Sequence, residues 1–121
     1  MNQFSVTIRD CPPAQVVDLN GYLDAHTAPQ LEQTFQQLLD GHRYKIIVNF
    51  RDLAYISSAG LGVFMAFIEE ARGNNVDIKL VGMSPKVYNV FDLLGFPMLY
   101  EIFDEESEAQ QRFIETASAG E

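Results

Sequence analysis

The apolar positions of the chain change period several times, and each change marks an element. From Phe4 to Arg9 apolar and polar residues alternate, and Gln15 to Leu19 is similar. Alternation puts one face on a core and the other in water, so both segments are predicted as strands. Cys11-Pro12-Pro13 lies between them. Proline has no amide to give to a ladder, so the two strands are expected to form a hairpin that turns there. Leu31, Phe35, Leu38 and Leu39 then recur at helical spacing and make one apolar face. Thr27 stands as N-cap of this helix with Gln30 as its capping-box partner. Pro29 sits in the first turn, where its missing N–H does no harm, and Asp40-Gly41 ends the helix.

Ile46-Ile47-Val48 is a short unbroken apolar run, the pattern of a central strand covered on both faces. A second helix is expected from about Ala59 to Arg72, stopped by Gly73-Asn74-Asn75. Its Leu61, Val63, Phe64, Met65, Phe67 and Ile68 make it apolar on more than one side. Such a helix is deeply buried or partly an interface. Asp77 to Val81 is a further strand. Ser84 caps a third helix that opens on Pro85 and closes at Gly95. Tyr100 to Phe103 reads as a last short strand, and Glu105 to Thr116 as an acidic helix. The order β-β-α-β-α-β-α-β-α predicts an α/β fold: a mixed, mostly parallel sheet with about four helices packed mainly on one side.

The 121 residues suit a single domain over 1–121, with a short flexible stretch after the last helix. Hydrophobic residues make up 47% of the chain, including nine Phe and five Tyr, which is enough bulk for a core without staples. Cys11 is the only cysteine, so no internal disulfide forms, and no Cys/His cluster suggests a metal; neither metal nor other cofactor is expected. A cytoplasmic location is expected. The segment MNQFSVTIRD has no basic region followed by an apolar stretch, so no signal peptide is expected, and no apolar run is long enough for membrane insertion. Net charge is −9, and the residues from Glu101 onward supply −6 of it. No basic stripe meets a phosphate backbone, which argues against direct nucleic-acid binding. The acidic end reads as a solvated helix face, or as a contact surface for a basic partner.

The segment Arg51-Asp52-Leu53-Ala54-Tyr55-Ile56-Ser57-Ser58-Ala59-Gly60-Leu61-Gly62 joins the central strand to the second helix. Two serines stand where the helix begins, and small residues follow them. One serine can cap the helix by accepting from a first-turn amide. A serine here can also accept a phosphate, whose charge suits the helix dipole and free amides. The two roles are compatible. A hydrolase nucleophile elbow does not fit: Ile56 stands where Gly-x-Ser-x-Gly needs its first glycine, and Asp24 and His26 both precede the serine. An enzyme is therefore not expected.

Three segments in order resemble the STAS domains, and among them the anti-sigma factor antagonists, over nearly the whole chain. They are Gly21-Tyr22-Leu23-Asp24 with Thr27-Ala28, then Asn49-Phe50-Arg51-Asp52-Leu53 through Ser58-Ala59-Gly60-Leu61-Gly62, then Val81-Gly82, Ser84-Pro85-Lys86-Val87 and Phe91-Asp92-Leu93-Leu94-Gly95-Phe96. The resemblance implies that the unphosphorylated protein binds an anti-sigma factor that is also a serine kinase. Phosphorylation then breaks the complex and a serine phosphatase resets it. Aligned on Gly60-Leu61-Gly62, the acceptor falls on Ser58, with Ser57 as the rival. The chain departs from the family pattern at Ser57, where an Asp is common, and at Ala59, where a second hydroxyl residue is common. Partner contacts are expected from Asp24, Tyr55, Ser57, Ala59, Gly60, Leu61 and Phe64, with some of Tyr55, Leu61 and Phe64 reaching the surface. Asp24 reads either as a turn residue or as a polar contact beside the serines. Two other functions fit the same fold: an unphosphorylated scaffold or accessory subunit of a transporter or stress-sensing assembly, and a small-molecule sensor.

Overall fold

The computed structural model describes residues 3–119. The chain runs through strand β1 (Phe4–Cys11), β2 (Ala14–Leu23), helix α1 (Ala28–Asp40), β3 (Lys45–Ile56), α2 (Ser58–Gly73), β4 (Asp77–Val81), α3 (Pro85–Leu93), a 3-10 turn (Phe96–Met98), β5 (Glu101–Phe103) and α4 (Glu106–Ala119). Every element read from the sequence is present. The stretch expected to be flexible after the last helix lies outside the described residues.

The described strands form one sheet in the order β1-β2-β3-β4-β5. The hairpin partners β1 and β2 are antiparallel, from Phe4 opposite Gly21 to Cys11 opposite Ala14. The remaining pairs are parallel, because each crossover carries a helix. β2 and β3 lose register between Asp18 and Asn20 and again between Gly21 and Tyr22, then regain it so that Leu23 lies opposite Ile56. That irregular stretch lets β3 run to Ile56, well past its unbroken apolar part.

Three helices, α1, α2 and α3, pack on one face of the sheet around a core that includes Val17, Leu19, Val48, Phe50, Leu31, Phe35, Phe64 and Phe91. Phe35 and Phe67 stack with centroids 4.1 Å apart and planes within 2°, joining α1 to α2. The phenol of Tyr100 donates to the carbonyl of Phe64 at 2.5 Å. On the opposite face, α4 lays Ala109 and Phe113 over Ala14, Val16, Ile47 and Val81. Its apolar contacts are four residues apart, one helical stripe; Glu108 and Glu115 are exposed, while Glu106 turns toward the sheet.

Of two details, the first corrects an expectation and the second is a burial that the sequence did not announce. Thr27 does not cap α1 with its side chain. Its buried hydroxyl lies 2.9 Å from the Tyr22 carbonyl and accepts from the Asp24 amide, while Gln30 reaches Thr27 only through its backbone amide. The side chain is drawn back into the turn, so no capping box forms. The second is Lys79, which lies opposite Ile47 under α4 and is 1% exposed. Its ammonium reaches Glu101 at 2.7 Å and Asp77 at 3.1 Å and sits 4.3 Å from the Phe113 ring centroid. A buried lysine needs such partners.

Candidate functional site at the start of α2

The site is assembled where β2 and β3 end side by side. The Ser57 amide donates to the Leu23 carbonyl at 2.9 Å, which ties the β3–α2 junction to the end of β2. Ser57 is extended (φ −94°, ψ 174°), and its hydroxyl accepts from the Gly60 amide at 3.3 Å. Ser57, not Ser58, is therefore the N-cap. Its extended backbone aims the side chain at the first turn, whereas Ser58 already belongs to the helix and points outward. The Ser58 side chain is exposed and Ser57 is half-buried. The amides of Ser58 and Ala59 head the helix, where no intrahelical carbonyl can reach them.

Gly60 is a packing requirement. A methyl carbon there would sit 2.8 Å from Cγ of Leu23 and 3.0 Å from Cγ1 of Ile56. The absent side chain lets the first turn of α2 press against the ends of both strands.

Register places Tyr22 opposite Tyr55 just before this junction. Their rings are 6.0 Å apart, and they are 40% and 42% exposed. Tyr22 was not among the contacts expected from the sequence; the pairing that brings it to Tyr55 is long-range and leaves no local signal. Asp24 follows in the turn. Its Oδ1 accepts from the amides of His26 at 2.9 Å and Thr27 at 3.2 Å, so it builds the turn into α1. It lies one residue beyond Leu23, whose carbonyl accepts from the Ser57 amide.

The expectation for Leu61 and Phe64 is corrected. Leu61 is 6% exposed and Phe64 is fully buried, because α2 has the sheet beneath it and α1 and α3 beside it. Phe64 touches the rings of Phe35, Phe50, Phe91 and Tyr100. Of the three apolar residues only Tyr55 offers its side chain to a partner. Ala59 is half-buried beside Ser58, and Gly60 is buried.

A second polar cluster lies on the α4 face. Arg9 bonds Asp18 and Glu106, and Asn49 donates to Glu106 at 3.1 Å. Hydrogen bonds from Arg9, and then from Asn49, hold the Glu106 carboxyl below the usual range against the opposing effect of burial. Burial, and then Glu106, push the neighbouring Cys11 thiol up. The cluster pins α4 to β1, β2 and β3. Among the described residues no group of three or more His, Cys, Asp or Glu is placed to hold a metal ion. No described helix is long and apolar enough to cross a membrane.

The family model of the STAS domain matches residues 5–109. The anti-sigma-B factor antagonist of Staphylococcus epidermidis is 27% identical over 86 residues, which is 71% of this chain and 80% of that protein. The anti-sigma factor antagonist SpoIIAA in its unphosphorylated form superimposes with a TM-score of 0.77 at 25% identity, over 90% of this chain and 96% of the other. The fold is also that of an anti-sigma factor antagonist from Mycobacterium paratuberculosis, with a TM-score of 0.83 at 19% identity over 91% and 93% of the two chains. With the serine junction, the mixed sheet and the covering helices all in place, the chain belongs to the STAS domain family and resembles its anti-sigma factor antagonist type.

Proposed function

We propose that this chain is an anti-sigma factor antagonist: a cytoplasmic, non-enzymatic protein that binds an anti-sigma factor serine kinase and is switched off by phosphate on Ser58. The observation that carries the reading is the division of labour between adjacent serines. Ser57 spends its hydroxyl on the Gly60 amide, which leaves the exposed Ser58 as the hydroxyl a kinase can reach. The likeness to anti-sigma-B factor antagonists supports the choice of partner.

The switch has a simple physical basis. A phosphate on Ser58 adds about 1.5 to 2 negative charges beside open helix amides, so the free protein accommodates it without refolding. A partner fitted to the bare hydroxyl would have to bury that charge without a counter-ion, which is costly. The contact surface comprises Tyr22, Tyr55, Asp24, Ser57, Ser58 and Ala59. A serine phosphatase resets the switch by restoring the hydroxyl.

The test is incubation of the protein with ATP and each anti-sigma-type serine kinase of the source genome, followed by peptide mapping. Phosphate on Ser58, with loss of the complex, is the expected result. Phosphate on Ser57 alone would reverse the assignment. Phosphate on neither serine would leave the chain as an unphosphorylated scaffold.

A further inference from the structure

The two glycines of Gly60-Leu61-Gly62 are used differently. Gly60 is demanded by the contacts of α2 with Leu23 and Ile56. Among the described residues nothing demands Gly62: a methyl carbon built on it meets no atom within 4 Å beyond its chain neighbours and its own helix backbone, and the residue is exposed. Glycine in a helix interior weakens the helix relative to alanine, so the free protein would be better off with a side chain here.

What Gly62 does is keep a groove open. A cleft of about 430 Å³ runs between α1 and α2. Ala59, Gly62 and Ala66 form its α2 wall, and the stacked rings of Phe35 and Phe67 lie at its floor. Glu32 stands on the α1 rim and Glu70 on the α2 rim, both exposed. Among the described residues no lysine or arginine lines it. Ala59 adjoins Ser58, so the cleft leads directly away from the phosphate-accepting hydroxyl.

We infer that this α1–α2 groove receives a basic amphipathic segment of the anti-sigma factor kinase, laid along the small residues of α2. The inference rests on the proposed function, whose partner it describes. An arginine or lysine matches the groove in both its parts. The aliphatic stem lies on the apolar wall, and the charged head reaches a glutamate on the rim. The close approach requires the missing side chain at position 62. Where the segment passes Ser58, the bulk of a phosphate would obstruct its seat, while the basic heads are engaged by the glutamates of the rims.

The experiment uses the full chain and the purified anti-sigma-type kinases of the source genome, with binding followed by calorimetry. Gly62→Ala is expected to raise the Tm of the free protein by roughly 4 °C. The same change is expected to weaken kinase binding about tenfold or more through steric exclusion. Gly73→Ala also adds a methyl in open space on α2, away from the groove, and is expected to leave binding unchanged. Glu32→Gln with Glu70→Gln should weaken binding and flatten its salt dependence. If wild-type protein binds a kinase and Gly62→Ala binds it equally well, the groove is not the contact and the inference fails alone. Equal weakening by Gly73→Ala also overturns it. If the wild type binds none of the kinases, the proposed function fails and takes the inference with it.

Discussion

Ser57 holds the amide of Gly60 at 3.3 Å, while its neighbour Ser58 faces solvent from the first position of the same helix. In the proposed reading, adjacent hydroxyls divide between stability and signalling. Ser57→Ala should cost about 1 kcal/mol in urea denaturation through loss of the cap, and phosphate incorporation should persist. Ser58→Ala should change stability by no more than about 0.5 kcal/mol, and abolish incorporation. Ser58→Asp should weaken kinase binding only in part, since a carboxylate carries less charge than a phosphate. A larger stability loss for Ser58→Ala than for Ser57→Ala would contradict this division.

Gly60→Ala is the steric counterpart. Its methyl would lie 2.8 Å from Leu23 Cγ, and Leu23 and Ile56 are both buried. The junction must shift, at a cost of about 1–3 kcal/mol. Denaturation midpoints of Gly60→Ala and wild type compare the two directly. An unchanged midpoint would show that the strand ends can relax.

The Tyr22–Tyr55 pair gives a prediction about binding. Both rings are about two-fifths exposed and stand just before Ser57 and Ser58. Tyr55→Ala should cost about 1 kcal/mol or less of stability, the loss of one exposed ring contact. Its effect on kinase affinity should be about 2 kcal/mol or more if the ring is an anchor. Calorimetric titration of variant and wild type separates the two quantities.

Much of this architecture was legible because period and punctuation agreed. Ser84-Pro85 and Gly95 bracket the third helix as their chemistry requires: Ser84 accepts from the Val87 amide, and Gly95 takes a positive φ of 76°. The misses share one cause, which is contact between residues far apart in sequence. Thr27 reads as a cap until the Tyr22 carbonyl claims its hydroxyl. The apolar spread on α2 left burial and interface both open, and packing on several sides buries Leu61 and Phe64, the latter with no exposure. The last six residues of β3, Arg51 to Ile56, mix buried and exposed positions without strict alternation, since their partner strand slips register beside them. Lys79 gave no sign of burial because its carboxylate partners lie on its own strand and on β5, and its ring partner on α4.

That lysine makes a prediction about the α4 face. Lys79→Ala removes a long buried stem and should cost about 2–4 kcal/mol. Lys79→Met refills the space and should recover most of the loss, because Asp77 and Glu101 are both nearly half exposed and can turn to water. Equal destabilisation by the two variants would place the energy in the ion pairs instead of the packing.

Glu106 supplies a pH dependence with a definite sign. Its carboxyl is held below the ordinary range chiefly by Arg9. A lowered folded-state value contributes stability that is complete above the unfolded value near ~4.3, and that is lost as pH falls through the folded one. Stability should therefore decline as pH drops below about 4.3, and Glu106→Gln should make that decline shallower while lowering stability at pH 7. Urea denaturation of both proteins across the acid range measures it. An identical acid limb in the variant would remove Glu106 from the account.

Strand order in this sheet follows chain order without exception, β1 to β5. Each strand after β1 finds its neighbour already made as it leaves the ribosome, so the nascent chain never has to keep a gap open for a later insertion. Loop-closure costs stay close to those of single crossovers, which favours rapid folding. Synthesis from the N-terminus can then build the sheet by accretion. The junction carrying Ser57 and Ser58 needs only β2, β3 and the first turn of α2, so it can take shape while the last strand and helix are still being made.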